Sequence, residues 1–360
     1  MSKYTNEYLR EHVRYGYKGL RGKTWWDTWG EEGTYAFDGA VPLDVAISLI
    51  DYPIQEQVIP CPCGECGQSR KELVHGVTGH YLGTHNEGWK LHSPKEWLLD
   101  GPTKILDDSV NIGSVGVLGY GQVVWVQIEM SDSAREAMGT AFRPYMLCYT
   151  AMDGSMSTGF QWASKISICD NTFYGNMSER TKKHRTRHTR NSELKVLDIR
   201  SALGIMFETA DTIETEMRAL MELEVSSRQF SQYLDLAHPI PERRDMGKRK
   251  DGQPKEDKTH NNAVRLQDTL TDLYTGSNKS EIDDKFRAMV APYEGTAWGV
   301  LMMENTWTHH LQGIKGDARG ERNLMADIKG QFADVDRTTM SRLGQVLDGK
   351  QAKHLELVAA

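Results

Sequence analysis

The amino-acid sequence predicts an α+β protein in which a central antiparallel β-meander is followed by a long amphipathic helix. Three segments carry this prediction, residues 123–130, 145–169 and 199–220. In the first, apolar and polar residues alternate, as in a strand with one buried face. The second contains Asp153-Gly154, a strong hairpin signal, and the third has apolar residues at every third or fourth position. Their order predicts a β-β-β-α core.

The alternation also assigns the two faces of the predicted strands. In the first strand, Val124, Val126 and Ile128 lie on one face, and Trp125, Gln127 and Glu129 lie on the other. The apolar stripe of the helix comprises Ile199, Leu203, Met206, Ala210, Ile213, Met217 and Leu220. A stripe of this kind usually packs on the protein's own sheet, and a short self-associating coiled coil is the alternative.

Composition divides the chain into four predicted regions. Residues 1–105 show little periodicity and predict a loop-rich N-terminal part, and residues 106–238 contain the β-β-β-α core. Residues 239–262 begin at a proline-rich break and predict a charged linker or loop. Residues 263–360 predict a helical C-terminal part, in which Trp298, Leu301, Met302 and Asn305 occupy core positions.

Length and cysteine usage limit the class of protein. At 360 residues the chain is long enough for two or three domains. It contains no apolar run of the roughly 20 residues that a membrane-spanning helix needs, and its start does not resemble a signal peptide. The five cysteines are an odd number, and three of them fall within six residues. We therefore expect a cytoplasmic protein in a reducing compartment, without a disulfide framework.

Positive charge is concentrated at residues 180–190, in a chain whose net charge is −7. The run contains six Lys or Arg and no acid, and such a cluster can neutralise closely spaced phosphates. A solvated surface loop is the alternative. The candidate nucleic-acid-binding residues are Arg180, Lys182, Lys183, Arg185, Arg187, His188 and Arg190. Trp125 and Tyr149 could stack bases if they are exposed, or belong to the core.

The sequence Cys61-Pro-Cys-Gly-Glu-Cys-Gly67 has the spacing of a metal site. Cys63 and Cys66 are separated by two residues, and the adjacent glycines permit a tight turn that points two thiolates at one ion. Zinc with a structural role is the expected metal. The candidate ligands are Cys61, Cys63, Cys66, His75 and His80, with His85 as a further donor. A loop of free thiols is the alternative.

The sequence provides little support for enzymatic chemistry. It lacks the Gly-x-x-x-x-Gly-Lys-Ser/Thr phosphate loop, and the glycine-rich residues 113–121 fit a turn better than a nucleotide cradle. Glu65 alone is a weak general base for a catalytic zinc. No catalytic residue is identified, and a non-enzymatic role is favoured.

Five segments in order along the chain resemble motifs of a known family. They are Gly113–Tyr120, Met152–Ser155, Ser167–Thr172, Arg187–Thr189, and Gly295–Val300 followed by Asn305–His310. They are similar to a glycine-rich stretch, an Asp-Gly-Ser turn, a Cys-x-Asn-Thr strand end, an Arg-His-Thr motif and a Thr-x-Trp-Gly helix of domain-of-unknown-function family number nine-three-two. Its members occur in phages and plasmids.

The resemblance implies a mobile-element setting, often beside recombination functions, and no particular reaction. Asp170 stands where the family usually has Gln, His309 stands where it usually has Asp, and the cysteine cluster is not part of the pattern. The predicted β-β-β-α order also resembles the core of single-strand annealing proteins, which is an analogy of fold alone.

The leading hypothesis is a phage or mobile-element accessory of DNA recombination or replication that binds single-stranded DNA, with strand annealing as a candidate activity. A homo-oligomer is expected, because annealing proteins line up many copies along a strand, and a recombination exonuclease is a candidate partner. The alternatives are a metal-dependent nucleic-acid enzyme and a non-catalytic host-interaction protein.

Overall fold

A computed structural model describes residues 11–18, 24, 34–60, 63, 69–100, 110–130, 135–166, 172–173, 183–192, 196–248, 250–251, 253–278, 280–313 and 319–358. The fold is mixed α+β, as the sequence predicts. Within these ranges the strands form two sheets, and the helices follow mainly in the C-terminal half. None of the described helices is long and apolar enough to cross a bilayer.

The larger sheet contains nine of the described strands: β1 (Val13–Tyr17), β2 (Thr34–Phe37), β6 (Val110–Leu118), β7 (Val123–Met130), β8 (Arg135–Ala137), β9 (Thr140–Ala151), β10 (Thr158–Ile166), β11 (Thr172–Phe173) and β12 (Lys183–Thr186). Seven of them lie in the order β11-β10-β9-β7-β6-β1-β2, and in addition β12 pairs with β10 and β8 pairs with β9. The smaller sheet has the order β3-β4-β5, with β3 (Ile54–Pro60), β4 (Ser69–His75) and β5 (Tyr81–Asn86).

Strands β6, β7, β9 and β10 are successive antiparallel neighbours. The turn between β9 and β10 contains Asp153 and Gly154, where the positive φ of 78° suits glycine. Two short strands, β11 and β12, pair with β10 before the long helix begins, so the helix does not directly follow the predicted three strands. Strands of two and four residues are too short to produce a periodic signal in the sequence.

The first two strands belong to the larger sheet, because β1 pairs with β6 and β2 pairs with β1. One face of this sheet packs on α1 (Leu43–Ile50) and on a π-helical turn at Lys95–Asp100. The core on this face includes Val124, Val126 and Ile128, as the alternation predicts. The opposite face carries Trp125, Tyr145 and Tyr149 and packs against C-terminal helices.

The other described helices are α2 (Val196–Glu222), α3 (Ser227–Ala237), α4 (Lys258–Thr275), α5 (Asp284–Val290), α6 (Ala297–Thr306), α7 (Arg319–Lys329), α8 (Gln331–Val346) and α9 (Gly349–Val358), and a π-helical turn at Trp307–Leu311 follows α6. In α2, the predicted stripe is buried at Ala210, Ile213, Met217 and Leu220. Ile213, Met217 and Leu220 pack in one core with Phe142 of β9 and with α6. This half of the stripe therefore faces the protein's own core rather than a second copy. The side chains of Ile199, Leu203 and Met206 lie outside the described part.

Helix α6 is buried on all sides, and the predicted core residues Trp298, Leu301, Met302 and Asn305 are among its ten buried positions. Between α3 and α4 the described residues are irregular and mostly exposed, and an isolated bridge joins Lys248 to Pro254. Helix α4 begins at Lys258, capped by Asp257, so the loop ends a few residues before the predicted boundary at 262.

Candidate nucleic-acid interface

The basic run is ordered along the edge of the larger sheet from Lys183 onward. Strand β12 pairs with β10 and places Arg185 opposite Gly159. The side chains of Arg185, Arg187 and Arg190 are exposed, whereas that of His188 is only 8% exposed. Arg180, Lys182 and the side chain of Lys183 lie outside the described residues. The structure therefore brings three arginines to the surface of one short segment.

Arg185 lies at the rim of the sheet beside the buried Tyr149. A Cβ at Gly159 would lie 2.6 Å from the Tyr149 ring, so glycine at this position makes room for that ring. Burial raises the pKa of the Tyr149 phenol, and the positive charge of Arg185 partly opposes that shift. Tyr149 is 1% exposed and Trp125 is fully buried. Both residues therefore belong to the core, and neither can stack a base.

Five aromatic rings, one of them in the basic run, form a continuous stack in the order His85, Trp89, His188, His92 and Trp97. The successive ring centroids are 4.0, 4.5, 4.0 and 3.6 Å apart. The stack joins the smaller sheet, through His85 of β5, to the segment that carries Arg187 and Arg190. It therefore attaches the basic segment, which we define as residues 185–190, to the body of the protein.

Hydrogen bonds fix the protonation of His92. The hydroxyl of Ser192 donates to Thr189 O at 2.7 Å, so His92 Nε2 donates to Ser192 Oγ, also at 2.7 Å. In a neutral ring the other nitrogen then accepts, and His92 Nδ1 receives the Thr158 hydroxyl proton at 2.7 Å. Both nitrogens are thus satisfied without a charge.

The same argument fixes the tautomer of His188. A carbonyl oxygen only accepts, so His188 Nδ1 donates to Lys90 O at 3.0 Å. Because Thr158 donates its one hydroxyl proton to His92, His188 Nε2 is free to accept from the Thr150 hydroxyl at 3.4 Å. Burial lowers the pKa of His92 to about 3 and that of His188 to about 4. Neighbouring positive charge adds to the shift, from His188 and Lys90 at His92 and from His85 at His188. Both rings are consequently neutral at pH 7.

His188 therefore does not occupy the surface position that contact with a phosphate or base requires. It is a buried anchor, held by Lys90 O and the Thr150 hydroxyl at its two ring nitrogens and by rings on both of its faces. The backbone bridge between Trp89 and Thr189 and the bond from Lys90 N to His188 O hold the same segment. The sequence alone does not show whether the ring of a histidine in a basic run points into the protein or toward solvent.

The predicted metal ligands are not brought together in the described part of the chain. Cys63 is exposed, and Cys61 and Cys66 lie outside the described residues. The cysteine loop joins β3 to β4 at Ser69, whereas His75 lies at the opposite end of β4, about 20 Å away at the strand rise of 3.3 Å per residue. His80 lies at that far end too, because His75 N donates to His80 O.

The side chains of these histidines have other contacts. His75 Nδ1 accepts from the backbone N–H groups of Val77 and Thr78, and its ring stacks on Tyr52. His80 stacks on Tyr120. Among the described residues, no group of three or more His, Cys, Asp or Glu side chains could hold a metal ion. The described positions and contacts of His75 and His80 therefore give no support for them as partners of the cysteines.

A buried polar network crosses the helix-covered face of the larger sheet. Lys165 Nζ donates to Gln127 Oε1 at 2.8 Å and lies 3.8 Å from Glu129 Oε1, while Gln127 Nε2 donates to the same carboxylate. Ser114 donates to Gln127 as well. A Cβ at Gly113 would lie 2.4 Å from the Glu129 carboxyl group, so glycine leaves the space that Glu129 fills.

Helix α7 closes this network through Asp327. The Tyr145 hydroxyl donates to Asp327 Oδ2 at 3.0 Å, and Gln161 Nε2 donates to Asp327 O at 2.8 Å. Lys165 Nζ lies 4.9 Å from the centre of the Tyr145 ring. Asp327 is fully buried, and burial raises its pKa to about 7, although Lys165 and the Tyr145 hydroxyl act in the opposite direction. The network therefore holds a carboxyl group that changes its charge near neutral pH.

A scan against family models matches residues 81–332 to the family described as Domain of unknown function (DUF932). The match spans well over half of the chain. The protein belongs to the DUF932 family. No curated protein and no solved structure matches it.

Within the DUF932 match, two of the family-like segments meet at the ring stack. His85 Nε2 donates to Met152 O of the Met152–Ser155 turn at 2.6 Å, and Arg187–Thr189 contributes His188. A Cβ at Gly83 would lie 2.2 Å from Met152 O, so this approach of the two sheets requires glycine.

The cysteine cluster precedes the DUF932 match, and Asp170 lies outside the described residues. His309 is buried, with its ring edge-on to Phe332.

Sequence reasoning on this DUF932 protein missed the ring stack and the role of Asp327. One signal was present, since Gln127, Glu129, Gln161 and Lys165 are polar residues on the reverse face of otherwise apolar strands. Such residues in a buried strand indicate a polar network, but they do not indicate which distant residue completes it.

We expect Asp327→Asn to change how stability depends on pH. Because the folded pKa is raised from 3.8 to about 7, the contribution of Asp327 to stability is complete below pH 4 and is lost as the pH rises toward 7. The loss is on the order of 4 kcal/mol. Urea unfolding across this range should show the Asn variant gaining stability relative to wild type as the pH rises, with Asp235→Asn as a surface control. A constant difference between Asn variant and wild type would contradict the buried, proton-binding role.

Proposed function

We propose that this DUF932 protein binds single-stranded DNA through the basic segment and is an accessory of recombination or replication in a phage or mobile element. The observation that carries the proposal is the anchored group of Arg185, Arg187 and Arg190. Three exposed guanidinium groups occur within six residues, on a segment already held by strand pairing and by the ring stack.

Anchoring supports binding because a segment that is ordered before the ligand arrives loses less conformational entropy on binding. Arginine also forms paired hydrogen bonds with phosphate oxygens, which a flexible lysine does less specifically. The net charge of −7 favours a local interface of this kind over a general attraction to nucleic acid. Bases would have to stack on residues other than Trp125 and Tyr149.

Strand annealing is the activity that we propose for the bound strand. The antiparallel strands β6, β7, β9 and β10 precede the long α2, with the short β11 and β12 in between. This order is similar to the β-β-β-α core of annealing proteins and supports the proposal at the level of fold alone. Homo-oligomers would form through surfaces other than the described half of the α2 stripe, which is buried within the chain.

Two further proposals are a structural zinc at Cys61, Cys63 and Cys66 and a recombination exonuclease as partner.

We expect Arg187→Ala/Arg190→Ala to weaken single-stranded DNA binding at least tenfold at low salt. Each lost phosphate contact should also reduce the slope of log affinity against log salt concentration by about 0.7. Fluorescence anisotropy with a labelled oligonucleotide over a salt series measures both quantities. These two arginines are preferred to Arg185, whose charge affects the buried Tyr149.

The matched control is Lys350→Ala/Lys353→Ala, which removes two exposed positive charges from α9 and produces the same change in net charge. Its affinity and salt slope should equal those of wild type. Equal weakening by both double variants would attribute binding to net charge, and absence of wild-type binding at low salt would refute the proposed function. Preference for duplex DNA or for RNA would refute the assignment to single-stranded DNA.

A further inference from the structure

A cleft of about 340 Å³ opens among α6, α7 and α8, and no residue of the basic segment lines it. Its lining includes Trp307, Arg322, Phe332, Val335 and Arg342. The volume falls within the range of roughly 300–1,000 Å³ that is usual for small-molecule sites, and the mixture of apolar surface with a few charged groups is also typical.

The cleft is located where α6 changes into the π-helical turn at Trp307–Leu311. π-helical turns are rare and are often found at functional sites. Here Trp307 and Thr308 of the turn line the cleft, and the carbonyl of Thr308 accepts from Arg322 Nη1 at 2.6 Å. The Trp307 side chain is only partly buried. The turn thus contributes an indole ring to the lining, and its Thr308 carbonyl holds Arg322, another lining residue.

Arg322 is held in place by neutral oxygens. Its Nη2 donates to Gln312 Oε1 at 2.6 Å, and its guanidinium carbon lies 5.7 Å from the centre of the Phe332 ring. Burial lowers the pKa of Arg322, and the charge of Arg319 lowers it further. Arg342 lines the cleft on α8. In the described part of the chain no carboxylate oxygen lies within the 4.0 Å of an ion pair with Arg322 or Arg342.

The two acids of the cleft have partners of their own. Glu304 Oε1 accepts from the Tyr233 hydroxyl at 2.8 Å and lies 2.7 Å from His238 Nε2. Asp334 lies 3.2 Å from Arg337 at the exposed rim. Two guanidinium groups of the lining thus have no carboxylate partner among the described residues, and placing a dianionic group beside them would be electrostatically favourable.

We propose that this cleft binds a nucleoside monophosphate, with the phosphate held by Arg322 and Arg342 and the base stacked on Trp307. The phosphate supplies the anionic oxygens that the two guanidinium groups lack, and aromatic stacking accepts any base because every base has a π face. The proposal does not depend on DNA binding by the basic segment, because Arg187 and Arg190 do not line the cleft.

Isothermal titration calorimetry of the full-length protein with AMP tests the proposal, with adenosine and inorganic phosphate as separate probes. We expect saturable binding of AMP that is at least tenfold tighter than binding of either fragment, because each fragment loses one of the two contacts. AMP binding should weaken at least tenfold in Arg342→Gln, whose side chain forms no described hydrogen bond that the fold requires.

Lys350→Gln is the control, since it removes the same charge from an exposed position of α9 outside the cleft lining, and it should bind AMP like wild type. Thr338→Trp, at an exposed position of the lining, should block the cleft without disturbing the core and should also abolish binding. The proposal is overturned by absence of AMP binding, by equal binding of phosphate and AMP, or by unchanged binding in both Arg342→Gln and Thr338→Trp.

Discussion

Lowering the pH from about 6 to about 4.5 is expected to reduce stability through His92 and His188 by about 1.4 kcal/mol for each histidine and each pH unit. The folded pKa values are about 3 and about 4, whereas the unfolded value is 6.5. Their contribution is therefore complete above pH 6.5 and is lost as the pH falls toward the folded values. Over this range Asp327 holds a proton in the folded state but not in the unfolded state. Its effect on stability therefore has the opposite sign and cancels the effect of about one of the two histidines.

The His92→Gln variant isolates this effect. A glutamine can hydrogen-bond to Ser192 in place of His92 Nε2 but cannot take up a proton. The slope of the unfolding free energy against pH should therefore be smaller than that of wild type by about 1.4 kcal/mol per pH unit. Urea unfolding at several pH values measures the slope. His260→Gln, outside the ring stack, controls for the loss of a histidine elsewhere. If His92→Gln retains the wild-type slope, the buried histidine is not the proton acceptor.

Gly299→Ala is expected to destabilise the protein by about 3 kcal/mol or more, at the upper end of overpacking effects. A Cβ at this position would lie 2.2 Å from Tyr293 O and 2.9 Å from its carbonyl carbon. Helix α6 is buried on every side, so it cannot shift away from the collision. The same movement would disturb the Thr296 cap, whose Oγ1 accepts from Gly299 N at 3.0 Å.

Gly344→Ala is the matched control for this prediction. Gly344 lies within α8, and a Cβ there would lie 3.7 Å from Leu355 Cδ2, which is an ordinary contact. Because alanine favours the helix by up to about 1 kcal/mol over glycine, this variant should be as stable as wild type or more stable. Thermal unfolding followed by circular dichroism compares the two. Equal melting temperatures for both variants would show that α6 tolerates the added methyl group.

Local patterns in the sequence were sufficient for several elements of the fold. The hairpin at Asp153-Gly154 follows from a turn that needs a positive φ at glycine, and the two faces of β7 follow from the period of a strand. The buried stripe from Ala210 to Leu220 follows from the period of a helix. In each case the signal lies within a few residues of the structure that it specifies.

The candidate interface was predictable only in part. The exposed Arg185, Arg187 and Arg190 follow from charge density, but the inward position of His188 does not. That position results from rings at 85, 89, 92 and 97, about a hundred residues earlier in the chain. The sequence of a hydrophilic run does not specify which of its side chains will pack against residues that are distant in the chain.

The sequence by itself determined the α+β class, the main hairpin, the core-facing stripe of α2 and the local concentration of positive charge. Only the tertiary structure decided that β1 and β2 complete the larger sheet, that the histidines form a neutral stack and that Asp327 meets Tyr145, 182 residues away. The physical reason is that backbone dihedral preferences and hydrophobic periods act between near neighbours in the chain. The pKa of a buried group and the partner of a polar side chain depend on groups that only folding brings together.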